Sequence, residues 1–383
     1  MRRLLYGLGL ALIVAACGGG GGGGDSGGTP PPVTGDPSAS ALVAAMGRSS
    51  NRLLVGLGGT ATSDVISQRL SIDVFERYLP DFGPGANWTE FDSPPGTYVD
   101  IVTQQADSVG AVPMFTLYAM ALSGDGVLST LDSKDLMRYY WSHVVLLFDR
   151  LAVYNKPVLV NLEPDFWGYV QNQATANDPN QRFAWVNVTS DCTSLPNTAV
   201  GVAQCLLRIA RNRAPKALVG FPPGDFGAGT ANTVQFMNRI GAQNADFIVK
   251  QTLDRDAGCF EALSSDGACT GRPEINPYWN DAAFETHLDE TRQYHEGIGG
   301  LPIVWWQTPL GVPSNSFGTT KHFRDNRVRY FLNNAARLVA VGGAVAVFGA
   351  GQDNQTDITT DGGQFQDRLN AYLAHPAALP TTP

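Results

Sequence analysis

The segment from Lys156 to Tyr169 carries the residues best suited to chemistry. An apolar run, Val158 to Leu162, ends in Glu163-Pro164-Asp165-Phe166-Trp167-Gly168-Tyr169, which sets two carboxyls and a proline beside large aromatics. The run reads as a buried strand, and alternate strand residues share a face, so Glu163 and Asp165 are expected to point the same way. Two acids beside flat rings suit cleavage of a glycosidic bond. One carboxyl protonates the leaving oxygen, another assists, and the rings stack on a pyranose. The competing assignment pairs Glu163 with an arginine and uses Asp165 to cap the next helix.

Such acids need a scaffold that delivers them to one mouth. Eight apolar, β-branched runs stand out: Leu53 to Leu57, Ile72 to Phe75, Val112 to Tyr118, Val158 to Leu162, Ala217 to Phe221, Asp246 to Lys250, Pro302 to Trp306 and Ala344 to Phe348. Helical spacing recurs between them, over Ser133 to Leu151 (capped by Asp132 or Ser133), Thr198 to Asn212, Ala282 to Tyr294 and Asp325 to Val341. Alternation of strand and helix predicts a parallel sheet, and eight strands predict a single (β/α)8 barrel of the α/β class over residues 39–375. The first unit is its irregular joint, because only Thr60 to Leu70 separates runs one and two. An open doubly wound sheet is disfavoured, since Gly56-Leu57-Gly58-Gly59 lacks the G-x-G-x-x-G spacing.

In such a barrel the working groups follow the C-terminal ends of the strands. Besides Glu163 and Asp165, that rule selects Asp73, Glu76, Tyr118, Asp225, Asp254, Asp256, Gln307, Gln352 and Asp353. Glu163 is the expected acid, because a carboxyl among Phe166, Trp167 and Tyr169 loses hydration and holds its proton more tightly. Asp165 tunes it or positions a water. Asp254 and Asp256 rank first as the opposing carboxylate, flanking Arg255 after a strand; a salt-bridged loop is the alternative. Trp167, Tyr169, Tyr118, Trp279 and Trp306 are the expected sugar contacts, with Trp141 better placed in a helix core.

The ends of the chain speak to location. Met1-Arg2-Arg3 followed by Leu4 to Ala16 reads as a secretory signal over residues 1–16. Val14-Ala15-Ala16-Cys17 resembles the bacterial lipoprotein cleavage box, which implies a lipidated Cys17 at the cell envelope. Residues 17–38 form a Gly- and Pro-rich tether, and residues 376–383 a disordered tail. No later run is long enough to span a bilayer, so the membrane is a partner only through the lipid. The remaining cysteines are even in number, and sequence-near pairing gives Cys192 with Cys205 and Cys259 with Cys269, one of three connectivities. Acidic residues outnumber basic ones 35 to 26, for a net charge of −9, which argues against nucleic acid and favours a neutral or cationic substrate. The five histidines show no metal-ligand spacing, and G-x-S-x-G and P-loop patterns are missing, so no metal or other cofactor is expected.

Known families share parts of this pattern. Val160 to Gly168 is similar to the E-P-D strand of glycoside hydrolase family 6, and a Glu ending the fourth strand resembles the acid/base of the retaining (β/α)8 glycosidase clan. Two departures matter: that clan has Asn directly before its Glu, where this chain has Leu162, and a nucleophilic Glu after strand seven, where this chain has Gln307. The resemblance therefore implies an inverting arrangement, a displaced nucleophile, or lost catalysis. Over nearly the whole domain the chain also resembles secreted bacterial barrel proteins with E-P-D-x-W-G-Y, D-R-D-A-G, W-Q-x-P-x-G and H-x-x-D-N-R, the last matched by His322, Asp325, Asn326 and Arg327. That likeness implies Glu163, Asp165, Asp254, Asp256, Gln307 and Asp325 near the barrel mouth. The sequence thus predicts a polysaccharide hydrolase, with a non-catalytic glycan-binding barrel as the alternative and a lyase or deacetylase as a third course.

Overall fold

The computed structural model describes residues 36–252, 279–310, 327–349 and 356–381. Eight parallel strands close into one barrel in sequence order: β1 (Leu54–Gly58), β2 (Val74–Pro80), β3 (Val112–Tyr118), β4 (Val158–Leu162), β5 (Ala217–Phe221), β6 (Phe247–Gln251), β7 (Ile303–Pro309) and β8 (Gly343–Gly349). All residues of β1, β4 and β8 are buried, as expected for strands covered by side chains inside and helices outside. The expected (β/α)8 barrel is therefore the fold.

The helices are α1 (Ser38–Ala45), α2 (Thr62–Ser67), α3 (Thr97–Ser108), α4 (Lys134–Tyr154), α5 (Phe166–Gln173), α6 (Ala199–Arg213), α7 (Thr230–Ile240), α8 (Asp281–Gly297), α9 (Arg327–Asn333), α10 (Ala335–Val339) and α11 (Gln364–Ala374). The helix of the first unit, α2, has only six residues, which matches the short segment between runs one and two. The longest, α4, starts at Ser133, whose hydroxyl accepts from the Leu136 N–H, and buries Met137, Tyr140, Trp141, Val144, Leu147, Phe148 and Leu151. Their 3-4-3 spacing is a single helix face. Trp141 belongs to this core, as its place in the helix indicates.

Two expectations need correction at the other end of the barrel. Asp73 precedes β2 rather than following it, and both its oxygens are held by Arg52 at 2.8 and 2.9 Å; it closes the N-terminal face, away from the mouth. Residues 377–379 are not a loose tail: Leu53 N–H donates to Ala377 O, Leu379 N–H donates to Asn51 O, and Leu379 is buried. The apolar Leu379 explains this, since it gains by joining the core.

Of the two expected disulfides, Cys192–Cys205 is formed and ties the segment before α6 to that helix. Cys259 and Cys269 lie outside the described residues, as do Cys17, Asp254, Asp256, Asp325, Gln352 and Asp353. Among the described residues no helix is long and apolar enough to cross a membrane.

Candidate active site

Glu163 follows β4 directly, with its N–H bonded to Leu117 O of β3 and its own φ at +59°. That left-handed backbone is uncommon outside glycine and costs energy unless its surroundings fix it. The fixing contacts are two amides after β3. Ala119 N–H and Met120 N–H donate to Glu163 Oε2 at 3.0 and 2.9 Å. The side chain is fully buried. Oε1 has no hydrogen-bond partner among the described residues; the buried Tyr140 hydroxyl lies near the carboxyl but makes no well-formed bond either.

Burial is the main reason that Glu163 holds its proton up to about pH 8, with the Met120 and Ala119 amides pulling the other way. Both amide donors occupy Oε2, which leaves Oε1 as the oxygen better able to carry the proton. At neutral pH this is a carboxylic acid with a transferable proton.

Asp165 departs from the expected arrangement. The strand ends at Leu162, and Asp165 also has positive φ, at +66°, so strand alternation does not relate the two acids. Glu163 is buried and Asp165 half-buried at the start of α5. Asp165 occupies the N-cap position without making a side-chain cap bond, and Glu163 is bonded to amides rather than arginine, so neither half of the competing assignment holds.

The aromatics divide differently from the sequence expectation. Trp167 is fully buried, donates from Nε1 to Leu162 O at 2.9 Å, and packs edge-on against Phe166 and Phe221; it buttresses β4 and presents no open face to a sugar. Trp306 lies inside the barrel and donates to Glu76 Oε1 at 3.2 Å. Trp279 packs on Phe284, His287 and Phe331 beside α8 and α9, and is 7% exposed. Large rings are the groups that gain most from burial, which is why all three went to the core.

Tyr118 and Tyr169 do reach the mouth. Their hydroxyls donate to the two oxygens of Asp125, at 2.8 and 3.2 Å. Burial and Asp125 together raise both phenols, Tyr169 to about 12, so both keep the protons they donate. Phe82, 53% exposed, meets Tyr118 edge-on, and Phe226 packs on Tyr169. Gln307 sits at a break in the β7–β8 register with φ +53° and donates to the Tyr78 hydroxyl. Asp225 is exposed and accepts from the Gly227 and Gly229 amides, so it shapes its own loop.

Two functional-looking groups, Asp125 and Asp81, escaped the sequence reading, whereas Glu76 was among its strand-end candidates. Asp125 stands in Gly124-Asp125-Gly126, part of no recognisable motif. With Tyr118, Met120, Glu163, Pro164, Phe166 and Tyr169 it lines a cavity of about 10 Å3, the room of roughly one water. Asp81, after β2, is buried against His143 Nδ1 at 2.6 Å and adds to the charge that keeps Glu163 protonated. Glu76 lies within the barrel, bonded to Thr116 and Trp306 and raised by burial. Asn161 is in register with Thr116 and shares that polar layer. Among the described residues, no group of three or more His, Cys, Asp or Glu is placed to hold a metal.

No protein-family model matches the chain, and no curated protein does. Solved structures do resemble it. One is a native Bacteroidetes-affiliated GH5 cellulase linked with a polysaccharide utilization locus, at TM-score 0.50 and 12% identity, covering 90% of this chain and 99% of that one. Others are the GH5-4 broad specificity endoglucanase from Clostridium acetobutylicum (TM-score 0.48, 9% identity, 83% and 96% covered) and ZgEngAGH5_4 in complex with a cellotriose (0.48, 12%, 83% and 96%). At such identities the shared property is the fold: this chain is a (β/α)8 barrel of the kind seen in GH5 glycoside hydrolases.

Proposed function

We propose that the protein is an extracytoplasmic, lipid-anchored glycoside hydrolase that cleaves an O-glycosidic bond in a polysaccharide, with Glu163 as proton donor. The observation that carries this reading is the state of Glu163. It follows β4 at the end of the barrel where active sites gather, its pKa is raised to about 8 by burial, and its Oε1 makes no well-formed hydrogen bond. An acid with these properties is suited to protonating a leaving oxygen near neutral pH. The lipid on Cys17 and the tether through residue 38 supply the location.

A second reading is a glycan-binding barrel without catalysis. It is favoured by the complete burial of Glu163 and by Gln307 standing within β7. The two readings separate in one experiment. The full chain is assayed on cellulose, β-glucan, xylan, mannan and chitosan, next to Glu163→Gln. New reducing ends that vanish in Glu163→Gln while binding survives support hydrolysis; saturable binding with no product in either protein sinks it.

A further inference from the structure

Building on the hydrolase reading, we propose that Asp125 is the second carboxylate of the site, the base that activates water opposite Glu163. Hydrolysis by an inverting route needs two carboxyls with unlike duties, one holding a proton and one free to take a proton from water. Glu163 fills the first role. The described structure offers Asp125 for the second on four grounds. It lines the same small cavity as Glu163. It is exposed where Glu163 is buried. Its bonds come from two phenol hydroxyls, with no lysine or arginine paired to it among the described residues. Glu163 Oε1 is buried with no well-formed hydrogen bond, although the Tyr140 hydroxyl lies beside the carboxyl.

The present cavity takes a water but not a sugar ring. Carboxyls in inverting enzymes stand about 6.5–9.5 Å apart to leave space for water and substrate. A sugar ring therefore requires the segment that carries Asp125 to move away from Glu163; Gly124 and Gly126 flank it with φ of +111° and +72°, values that other residues rarely adopt. In the reaction, a water proton passes to Asp125 and the water oxygen bonds to the anomeric carbon. The glycosidic C–O bond breaks as the leaving oxygen takes the proton from Glu163 Oε1. Atoms and charge balance, and the product anomer is inverted.

The test has a readout that does not depend on turnover. In full-length protein labelled with 13C at glutamate Cδ, the Glu163 signal, assigned with Glu163→Gln, is titrated in wild type, Asp125→Asn, Asp125→Glu and Asp165→Asn. Removing the negative charge across the cavity in Asp125→Asn is expected to lower the Glu163 midpoint by about half a pH unit or more. Asp125→Glu keeps the charge and is expected to keep the midpoint, which covers the case in which Asp125→Asn fails to fold. On any polymer that the wild type cleaves, Asp125→Asn should lower kcat about 100-fold or more with little change in KM, and the first product seen by NMR should be the inverted anomer. An unmoved midpoint in Asp125→Asn, a midpoint that falls in Asp125→Glu, or a larger loss in Asp165→Asn overturns the pairing. Loss of turnover in Glu163→Gln but not in Asp125→Asn sinks this inference alone. A shifted midpoint in a wild type that cleaves nothing upholds the coupled pair and sinks the hydrolase reading.

Discussion

Trp306 on β7 donates its indole N–H to Glu76 Oε1 on β2, at 3.2 Å through the barrel interior. Thr116 donates to the same oxygen at 2.6 Å, so three strands meet at one buried carboxyl. Trp306→Phe keeps most of the ring but removes a donor, and should cost about 1–3 kcal/mol of stability. Urea unfolding of the two proteins measures this; equal midpoints would show that the bond contributes nothing.

Stability should fall with pH because of Glu163. Its carboxyl, ordinarily near 4.5, is raised to about 8 in the folded chain. Below pH 4.5 both folded and unfolded chains are protonated there, and the burial is fully tolerated. Between 4.5 and 8 the unfolded chain ionises while the folded one holds its proton, so stability drops with rising pH; above 8 both are ionised and the drop ends. A shift of this size corresponds to about 5 kcal/mol over the window. Glu163→Gln lacks that slope. Its unfolding free energy should gain on wild type between pH 5 and 9, and parallel curves would mean that Glu163 titrates normally.

The barrel was legible because its strands repeat one physical demand. Runs three, four and five match β3, β4 and β5 residue for residue, since each is a mainly apolar stretch between turns. Run two ended at Phe75 in the sequence reading, whereas β2 continues to Pro80. Glu76, Arg77 and Tyr78 break the apolar pattern, yet the first is satisfied by hydrogen bonds and Arg77 lies over the Phe75 ring. The site was legible only in part. Glu163 was found from its place after an apolar run, but its relation to Asp165 was not, because two positive φ values replace strand geometry there. Asp125 lay hidden because its partners, Tyr118 at the end of β3 and Tyr169 on α5, come from different βα units that only the closed barrel brings together. Aromatics were overvalued as sugar contacts for a related reason: Trp167, Trp279 and Trp306 carry the same side chain whether they line a mouth or fill a core, and neighbours decide which.

The disulfide should be a measurable brace. Cys192 and Cys205 are separated by 13 positions and both are buried. Closing a loop of that size restricts the unfolded chain, with an expected contribution of about 2–3 kcal/mol. The Cys192→Ala, Cys205→Ala pair should lower the thermal midpoint relative to wild type under oxidising conditions. Reduction with dithiothreitol should weaken the wild type and leave the double variant unmoved. A wild type indifferent to the reductant and equal to the double variant in stability would rule the brace out.

Gly126 tests how tightly the mouth is assembled. Its φ is +72°, and a Cβ placed on it would sit 3.0 Å from Tyr169 Cε1 and 3.1 Å from Cζ. Two costs therefore meet in Gly126→Ala: a left-handed backbone that alanine disfavours by about 1 kcal/mol, and a ring that must retreat by a few tenths of an ångström. Tyr169 cannot retreat without strain on its bond to Asp125, which is already the longer of the two phenol bonds at 3.2 Å. Phe226 also packs on this ring, with centroids 4.9 Å apart. The variant should lose about 1–2 kcal/mol in urea unfolding, and its Tyr169 phenol, no longer held against Asp125, should titrate below the value of about 12 that the intact cluster gives it. Tyr169→Phe provides the control, since it removes the hydroxyl without the clash and should cost less. Were Gly126→Ala to match wild type in both stability and phenol titration, the Asp125 segment would be free to rearrange without Tyr169, and the two-tyrosine clasp would have no mechanical role.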